Sequence, residues 1–289
     1  MGEISDALKR AREVVRREPA ALSPATSPLR EAPGPNLAPA RDSSAAVAIS
    51  DEGAGSWNAR AVLVAPRGEF AEAYRHFAIR LQRQLKEIGA RSVIVTSAAR
   101  GEGKTTTACN LALALASMSS GRRIALIELD VRRPSAARSL GVRPAVGIER
   151  VLAGAARLAD ACLHTQLPDL DLYLASEPAR DPLGLVAAAS TGALLRDLAR
   201  QYDLVVIDSP PVLPVPDVPL IAAFADAVLL VARNGVSRRA ALRETIESLG
   251  SEKLIGVFLN EGKTPRHRRY SGYYGYQEPA EAPAEGNEP

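Results

Sequence analysis

Short apolar runs alternate along this chain with longer stretches whose apolar positions recur every three or four residues. The runs are Ser92–Thr96, Ile124–Glu128, Leu170–Leu174, Leu204–Ile207, Ala227–Ala232 and Leu254–Leu259. Several are rich in Val, Ile and Leu without polar alternation, as expected of strands covered on both faces. Glu69–Glu87 carries the helical pattern. The alternation predicts an α/β fold with a doubly wound, mainly parallel sheet. Such sheets bind ligands at the carboxyl ends of their strands, so the chemistry is sought where the runs end.

The flanks read differently. Residues 4–17 have the pattern of a short amphipathic helix, with Ile4, Ala7, Leu8, Ala11, Val14 and Val15 as its apolar stripe. Residues 18–60 hold six prolines between Pro19 and Pro39 and few large apolar side chains, which predicts a disordered linker. The folded domain is expected over 61–262, and 263–289 is expected to be a disordered, tyrosine-rich tail.

Composition narrows the partners. With 289 residues, 46% of them hydrophobic, the chain is long enough for one α/β domain of about 200 residues plus its flanks. Basic and acidic residues number 36 and 33, and a net charge of +3 does not call for nucleic acid. Cys109, Cys162, His76, His164 and His267 show no zinc spacing and are expected as reduced thiols and ordinary imidazoles. No apolar run approaches the ~18–20 residues of a membrane span, and Glu3 and Asp6 are foreign to a signal peptide. The expected location is cytoplasmic, with any membrane link made through a partner.

Three run ends carry candidate chemistry. The first is Val93-Ile-Val-Thr-Ser-Ala-Ala-Arg-Gly-Glu-Gly-Lys-Thr-Thr-Thr107, read as strand, glycine loop and helix (Ala108–Ser117). Gly101 and Gly103 let the backbone turn its N–H groups toward phosphate oxygens, and the helix adds its N-terminal partial charge. Arg100, Gly101, Glu102, Gly103, Lys104, Thr105 and Thr106 form the expected phosphate cradle. Lys104 supplies a point charge and Thr105 a hydroxyl for Mg²⁺. The pattern GxxxxGK[ST] is met except at its first position, Ala98. The second is Tyr202-Asp-Leu-Val-Val-Ile-Asp208, a strand aiming a carboxylate at the magnesium shell. The third is Arg123-Ile-Ala-Leu-Ile-Glu128-Leu-Asp130-Val-Arg-Arg-Pro134. Residues i and i+2 of a strand point the same way, so Glu128 and Asp130 are both expected to face the phosphates, one for metal and one as proton acceptor. The structural alternative for this pair is a helix cap with an exposed ion pair to Arg132 or Arg133.

These motifs, in this order and with a tyrosine-rich end, resemble the bacterial tyrosine kinases of capsule and exopolysaccharide assembly, in their exosortase-associated branch. The resemblance covers roughly 61–276 and implies a P-loop NTPase fold of the MinD/ParA type with Walker A, A′ and B motifs. It implies ATP and Mg²⁺ as cofactors, Lys104, Glu128, Asp130 and Asp208 as catalytic residues, and Thr105, Asp130 and Asp208 on the metal. Asn260 would touch the adenine. Glu128 stands where the family has Asp, one methylene shorter. The family also assembles rings through an ExxRxxR helix, matched here by Glu72 and Arg75 but not by Ala78, with Arg80 and Arg83 nearby. A membrane polysaccharide co-polymerase as activator and a cognate tyrosine phosphatase are implied as partners.

Four of the seven tyrosines, Tyr270, Tyr273, Tyr274 and Tyr276, cluster in the tail and are the expected phosphoacceptors. Two other readings share the motifs. A MinD/ParA-type ATPase would carry a second lysine early in the loop, where this chain has Ala99. A non-catalytic, ATP-binding scaffold of polysaccharide export would not need the tyrosine cluster.

Overall fold

The computed structural model describes residues 46–49, 57–119 and 121–262. The expected helix over 4–17 and the four tail tyrosines lie outside the described residues. A 3₁₀ turn (Trp57–Arg60), α1 (Ala61–Val64) and α2 (Glu69–Glu87) lead into β1 (Ser92–Ser97). Then follow α3 (Lys104–Ser117), β2 (Ile124–Glu128), α4 (Ala136–Leu140), α5 (Ile148–Leu152), β3 (Leu163–His164) and β4 (Leu170–Tyr173). The chain continues through α6 (Pro182–Ala187), α7 (Ala189–Gln201), β5 (Leu204–Asp208), α8 (Asp217–Ala222), β6 (Ala227–Arg233), α9 (Arg239–Leu249) and β7 (Leu254–Asn260).

The seven strands form one sheet in the order β3-β4-β2-β5-β1-β6-β7. All neighbours are parallel except β3 and β4. The fully buried patterns of β1, β2, β4 and β5 follow from helices on both faces. Val93 and Val95 of β1 pack into one core with α2 and α3, and Ile94 packs into the other with α5, α7 and α8. Ala108 to Leu115 of α3 are wholly buried. That helix therefore lacks a polar face, and its periodicity is weak for the same reason.

The packed unit begins upstream of position 61. Val47 bridges to Thr165 and Val47 N–H donates to His164 O at 2.7 Å, while Ile49 is buried in the core. Ala59 and Arg60 are buried too. Four residues on a sheet edge and a two-residue β3 are too short to impose a period, so composition alone placed 46–60 in the linker.

Candidate active site

The parallel register brings the carboxyl ends of β1, β2 and β5 together: Val95 pairs with Asp208, and Glu128 pairs with Asp208. Between β1 and α3 the loop turns through Gly101 (φ +79°) and Gly103 (φ +93°). A Cβ on Gly103 would stand 2.0 Å from Asn260 Nδ2, so both its φ and its neighbour require glycine. Ala98, at the deviant first position, is wholly buried in a small core with Leu230, Ala232 and Leu242.

Two expected nucleotide contacts hold the loop with their side chains. Glu102 is buried; its Oε2 accepts from Ala99 N–H at 2.8 Å and its Oε1 accepts from the Ser237 hydroxyl. Its carboxylate therefore braces the loop from behind, and only its backbone is left for phosphate. Asn260, at the end of β7, donates from Nδ2 to Glu102 O at 3.2 Å and also lines the cleft.

Lys104 is the electrostatic hub. Its Nζ lies 2.7 Å from Asp130 Oδ2 and 3.8 Å from Asp208 Oδ1, and donates to Thr105 Oγ1 at 3.2 Å. Burial works against its charge, but Asp208 and Asp130 outweigh burial and lift its pKa. Asp208 is wholly buried, and neither carboxylate oxygen has a hydrogen-bond partner among the described residues. Burial, the largest influence, raises its pKa against the pull of Lys104. Buried carboxylates are costly unless paired and hydrogen-bonded, and Asp208, with Lys104 at 3.8 Å and no hydrogen bond, could hold a cation.

Glu128 departs from expectation. It is wholly buried, its Oε1 accepts from Ser135 N–H at 2.6 Å and Ala136 N–H at 2.8 Å, and its Oε2 accepts from Ala175 N–H at 3.2 Å. It caps the start of α4 and is not among the residues lining the cleft, whereas Asp130 is. The two acids thus do not both face the phosphates: every bond Glu128 makes goes to backbone amides. Burial first, then the charge of Asp208, push its pKa up to about 7, against those three amides. Arg132 pairs with neither acid; it grips wholly buried Asp217 at 2.7 and 2.8 Å.

The cleft above these groups has a volume of about 830 Å³. Lys104, Arg100, Arg132, Arg133 and Arg233 give it a basic lining, and Phe70, Tyr74, Pro210, Pro211 and Val215 an apolar wall. Thr105, Asp130 and Asp208 offer oxygen donors, joined by the Ser135 hydroxyl, which donates to Thr105 Oγ1 at 3.3 Å. An all-oxygen set with two carboxylates fits a hard divalent cation such as Mg²⁺. Ser135, Arg233 and Glu261 were not singled out from sequence, since Ser135 and Glu261 lie in turns and Arg233 at a strand end, each without a motif of its own.

Two other sequence readings change in space. Cys162, His164 and Asp171 converge, with ligand atoms within 4.8 Å of one another. Asp171 already takes the Tyr202 hydroxyl at 2.7 Å, His164 Nδ1 at 2.8 Å and Arg123 at 3.4 Å, so the cluster is a satisfied polar brace under the sheet edge. On α2, Glu72 and Arg75 pair within the chain at 2.5 Å. Ala78 is wholly buried in the core, while Arg80 and Arg83 are exposed. Among the described residues no helix is long and apolar enough to cross a membrane.

Comparison with known proteins gives this geometry a lineage. Residues 90–249 match the family described as AAA domain. The tyrosine-protein kinase YwqD of Bacillus subtilis is 30% identical over 212 residues, covering 73% of this chain and 88% of that protein. The succinoglycan biosynthesis transport protein ExoP of Rhizobium meliloti is 30% identical over 221 residues, which span 75% of this chain and only 28% of that longer protein. The kinase domain of the Escherichia coli tyrosine kinase ETK superposes with a TM-score of 0.65 at 26% identity, over 75% of this chain and 84% of that domain. With the loop, the paired strand-end carboxylates and the parallel sheet in place, these matches show that the chain belongs to the bacterial tyrosine kinase family.

Proposed function

We propose that this chain is an ATP-dependent autokinase that phosphorylates Tyr270, Tyr273, Tyr274 and Tyr276 of a neighbouring copy. The observation that carries this reading is the buried, unbonded Asp208 beneath Lys104 at the foot of a phosphate loop, where Lys104, Thr105 and Asp130 line a basic cleft. Such a floor is strained until a cation joins it. Lys104 and the amides of residues 101–106 neutralise the β and γ phosphates, with the start of α3 behind them. Thr105, Asp130 and Asp208 would hold Mg²⁺, which when bound neutralises phosphate charge and orients the transferring group. Asn260 borders the nucleotide cleft and is assigned the adenine.

In the transfer step the tyrosine oxygen attacks the γ phosphorus, the bond to the ADP oxygen breaks, and the phenolic proton leaves. Asp130 is the carboxylate that reaches the cleft, so the proton goes to Asp130 in place of Glu128. Little base strength is demanded, because phosphoryl transfer passes through a loose transition state governed by positioning. Glu128 acts as a positioning residue that fixes the turn bearing Asp130 and Ser135. Arg100 and Arg133, exposed and without side-chain hydrogen bonds among the described residues, supply further charge for the incoming anion.

The wider setting rests on the family. A membrane polysaccharide co-polymerase acts as activator, a tyrosine phosphatase reverses the mark, and copies assemble into a homo-oligomer at the inner membrane face. Phosphates of about −1.5 to −2 charge each on four clustered tyrosines would repel one another, eject the tail and loosen the assembly. The decisive test maps phosphotyrosine by mass spectrometry after incubation with Mg·ATP. Phosphate at Tyr270–Tyr276, lost in Lys104→Ala and in the four-tyrosine-to-Phe protein, supports the reading. Absence of phosphotyrosine, even with a co-polymerase cytoplasmic segment added, overturns it in favour of a scaffold if ATP binds or a MinD-type ATPase if ATP is steadily hydrolysed.

A further inference from the structure

The cleft has a second anchor besides Lys104, placed beside Glu261, which precedes the tyrosine-bearing segment in sequence. Arg233 ends β6, the neighbour of β1, and its guanidinium makes two contacts. Nε donates to Glu261 Oε2 at 2.8 Å, and Nη1 donates to the carbonyl of Gly101, inside the phosphate loop, at 3.2 Å. Both Arg233 and Glu261 line the cleft. Glu261 follows the last residue of β7 and has φ +55°, the one non-glycine in the left-handed region among the described residues. A side chain pays for that conformation unless its surroundings fix it. They do so here: Glu261 N–H donates to Asn260 Oδ1 at 3.0 Å, Asn234 N–H donates to Asn260 O at 2.9 Å, and Asn260 Nδ2 donates to Glu102 O. Ser237 closes the circuit, its Oγ accepting from Arg233 N–H at 2.8 Å and donating to Glu102.

An ion pair whose partners are 38% and 52% exposed adds little stability by itself. What distinguishes this one is its position. One guanidinium joins a loop shaped to receive phosphate to the residue at which the chain turns off toward the tail. The same guanidinium faces an anion site, so a bound nucleotide competes with the Glu261 carboxylate for it.

We propose that Arg233 and Glu261 are positioning residues for the transfer: their pair holds the phosphate loop at Gly101 and, through the strained turn at Glu261, the direction in which the acceptor segment departs. An anionic nucleotide that draws Arg233 away frees Glu261 from its constraint, so filling the cleft reorients the root of the tail. The proposal rests on the autokinase reading above and adds to it a route by which nucleotide and acceptor are coupled.

The test uses the full chain with Arg233→Ala, Arg233→Lys and Glu261→Gln, and three readouts. These are affinity for a fluorescent ATP analogue, phosphorylation of the chain's own tail, and phosphorylation of a separate peptide of residues 263–289. In Arg233→Ala, analogue affinity falls about threefold to tenfold, because the loop loses its tie at Gly101. Arg233→Lys, which keeps charge but one contact at most, recovers part of that loss. In Glu261→Gln, analogue binding tightens severalfold as the competing carboxylate disappears. The ratio of own-tail to free-peptide phosphorylation also falls about tenfold in Glu261→Gln, because the tail is no longer directed. Equal changes in own-tail and free-peptide labelling overturn the coupling to the tail, and unchanged analogue affinity in all three variants overturns the coupling to the loop. Should the unaltered chain label neither substrate even with a co-polymerase cytoplasmic segment added, the kinase reading fails on that result, while the analogue titrations still decide whether Arg233 and Glu261 govern the cleft.

Discussion

Asp208→Asn separates the cost of building this site from its use. The carboxylate feels Lys104 at 3.8 Å, an attraction of about 4 kcal/mol at an effective dielectric constant of about 20. Its pKa is nevertheless raised, so burial outweighs that attraction. Asparagine keeps the shape and removes the desolvated charge, and Lys104 retains Asp130 at 2.7 Å. Asparagine leaves a buried polar group in place and removes only the desolvated charge that raises the pKa, so the ligand-free variant should be at least as stable as the unaltered chain. Ligand at a hundred times its Kd stabilises the native state by about 2.7 kcal/mol. In the variant the magnesium-dependent part of that gain should vanish. Thermal unfolding of both proteins alone, with ATP and EDTA, and with Mg·ATP reads both effects. A ligand-free variant weakened by more than about 2 kcal/mol, or one keeping the full Mg·ATP gain, would refute the assignment of Asp208 as a strained cation site.

Other outcomes are equally direct. In the absence of nucleotide and metal, Glu128 titrates near 7 in the fold against 4.5 ordinarily. The folded state therefore keeps a proton that the unfolded chain has lost. The contribution is complete below about pH 4.5 and is lost as pH rises through about 7, a decline of about 3 kcal/mol. Urea unfolding across that window should show the decline in the unaltered chain and a flatter profile in Glu128→Gln. Gly103→Ala forces both a φ of +93° and a contact 2.0 Å from Asn260, and should abolish binding of a fluorescent ATP analogue. Gly89→Ala, with φ +67° and open space, should cost only about 1 kcal/mol of stability and leave analogue binding alone. Arg132→Ala strips wholly buried Asp217 of its bidentate partner. Removing one member of a buried pair costs about 3–5 kcal/mol. Because Arg132 is itself partly exposed, about 2 kcal/mol is expected in denaturant titration.

Much of this molecule was legible before folding. Strands β1, β2, β4, β5 and β6 were readable because strands covered on both faces must be largely apolar, β7 from its apolar run although it is a half-buried edge strand, and α2 because a half-exposed helix must alternate. Gly101, Gly103 and Lys104 could be read from spacing alone, because a loop that presents amides to phosphate needs glycine and a cation wherever it occurs. What the sequence left open was direction. Glu128 and Asp130 lie two residues apart, yet one is consumed by the amides of Ser135, Ala136 and Ala175 while the other opens to the cleft. That division depends on where the α4 start and the end of β4 arrive, which no local period records. The same holds for Glu102, turned inward by Ser237 from 135 residues away, and for Arg233, which meets Gly101 and Glu261 only because β6 lies between β1 and β7. Composition and spacing determined that this chain would carry a glycine loop of the phosphate-binding type at the end of a parallel strand. The packing of distant segments decided which carboxylate is spent on backbone amides, which is buried without a hydrogen bond beside Lys104, and how Arg233 joins the loop at Gly101 to Glu261.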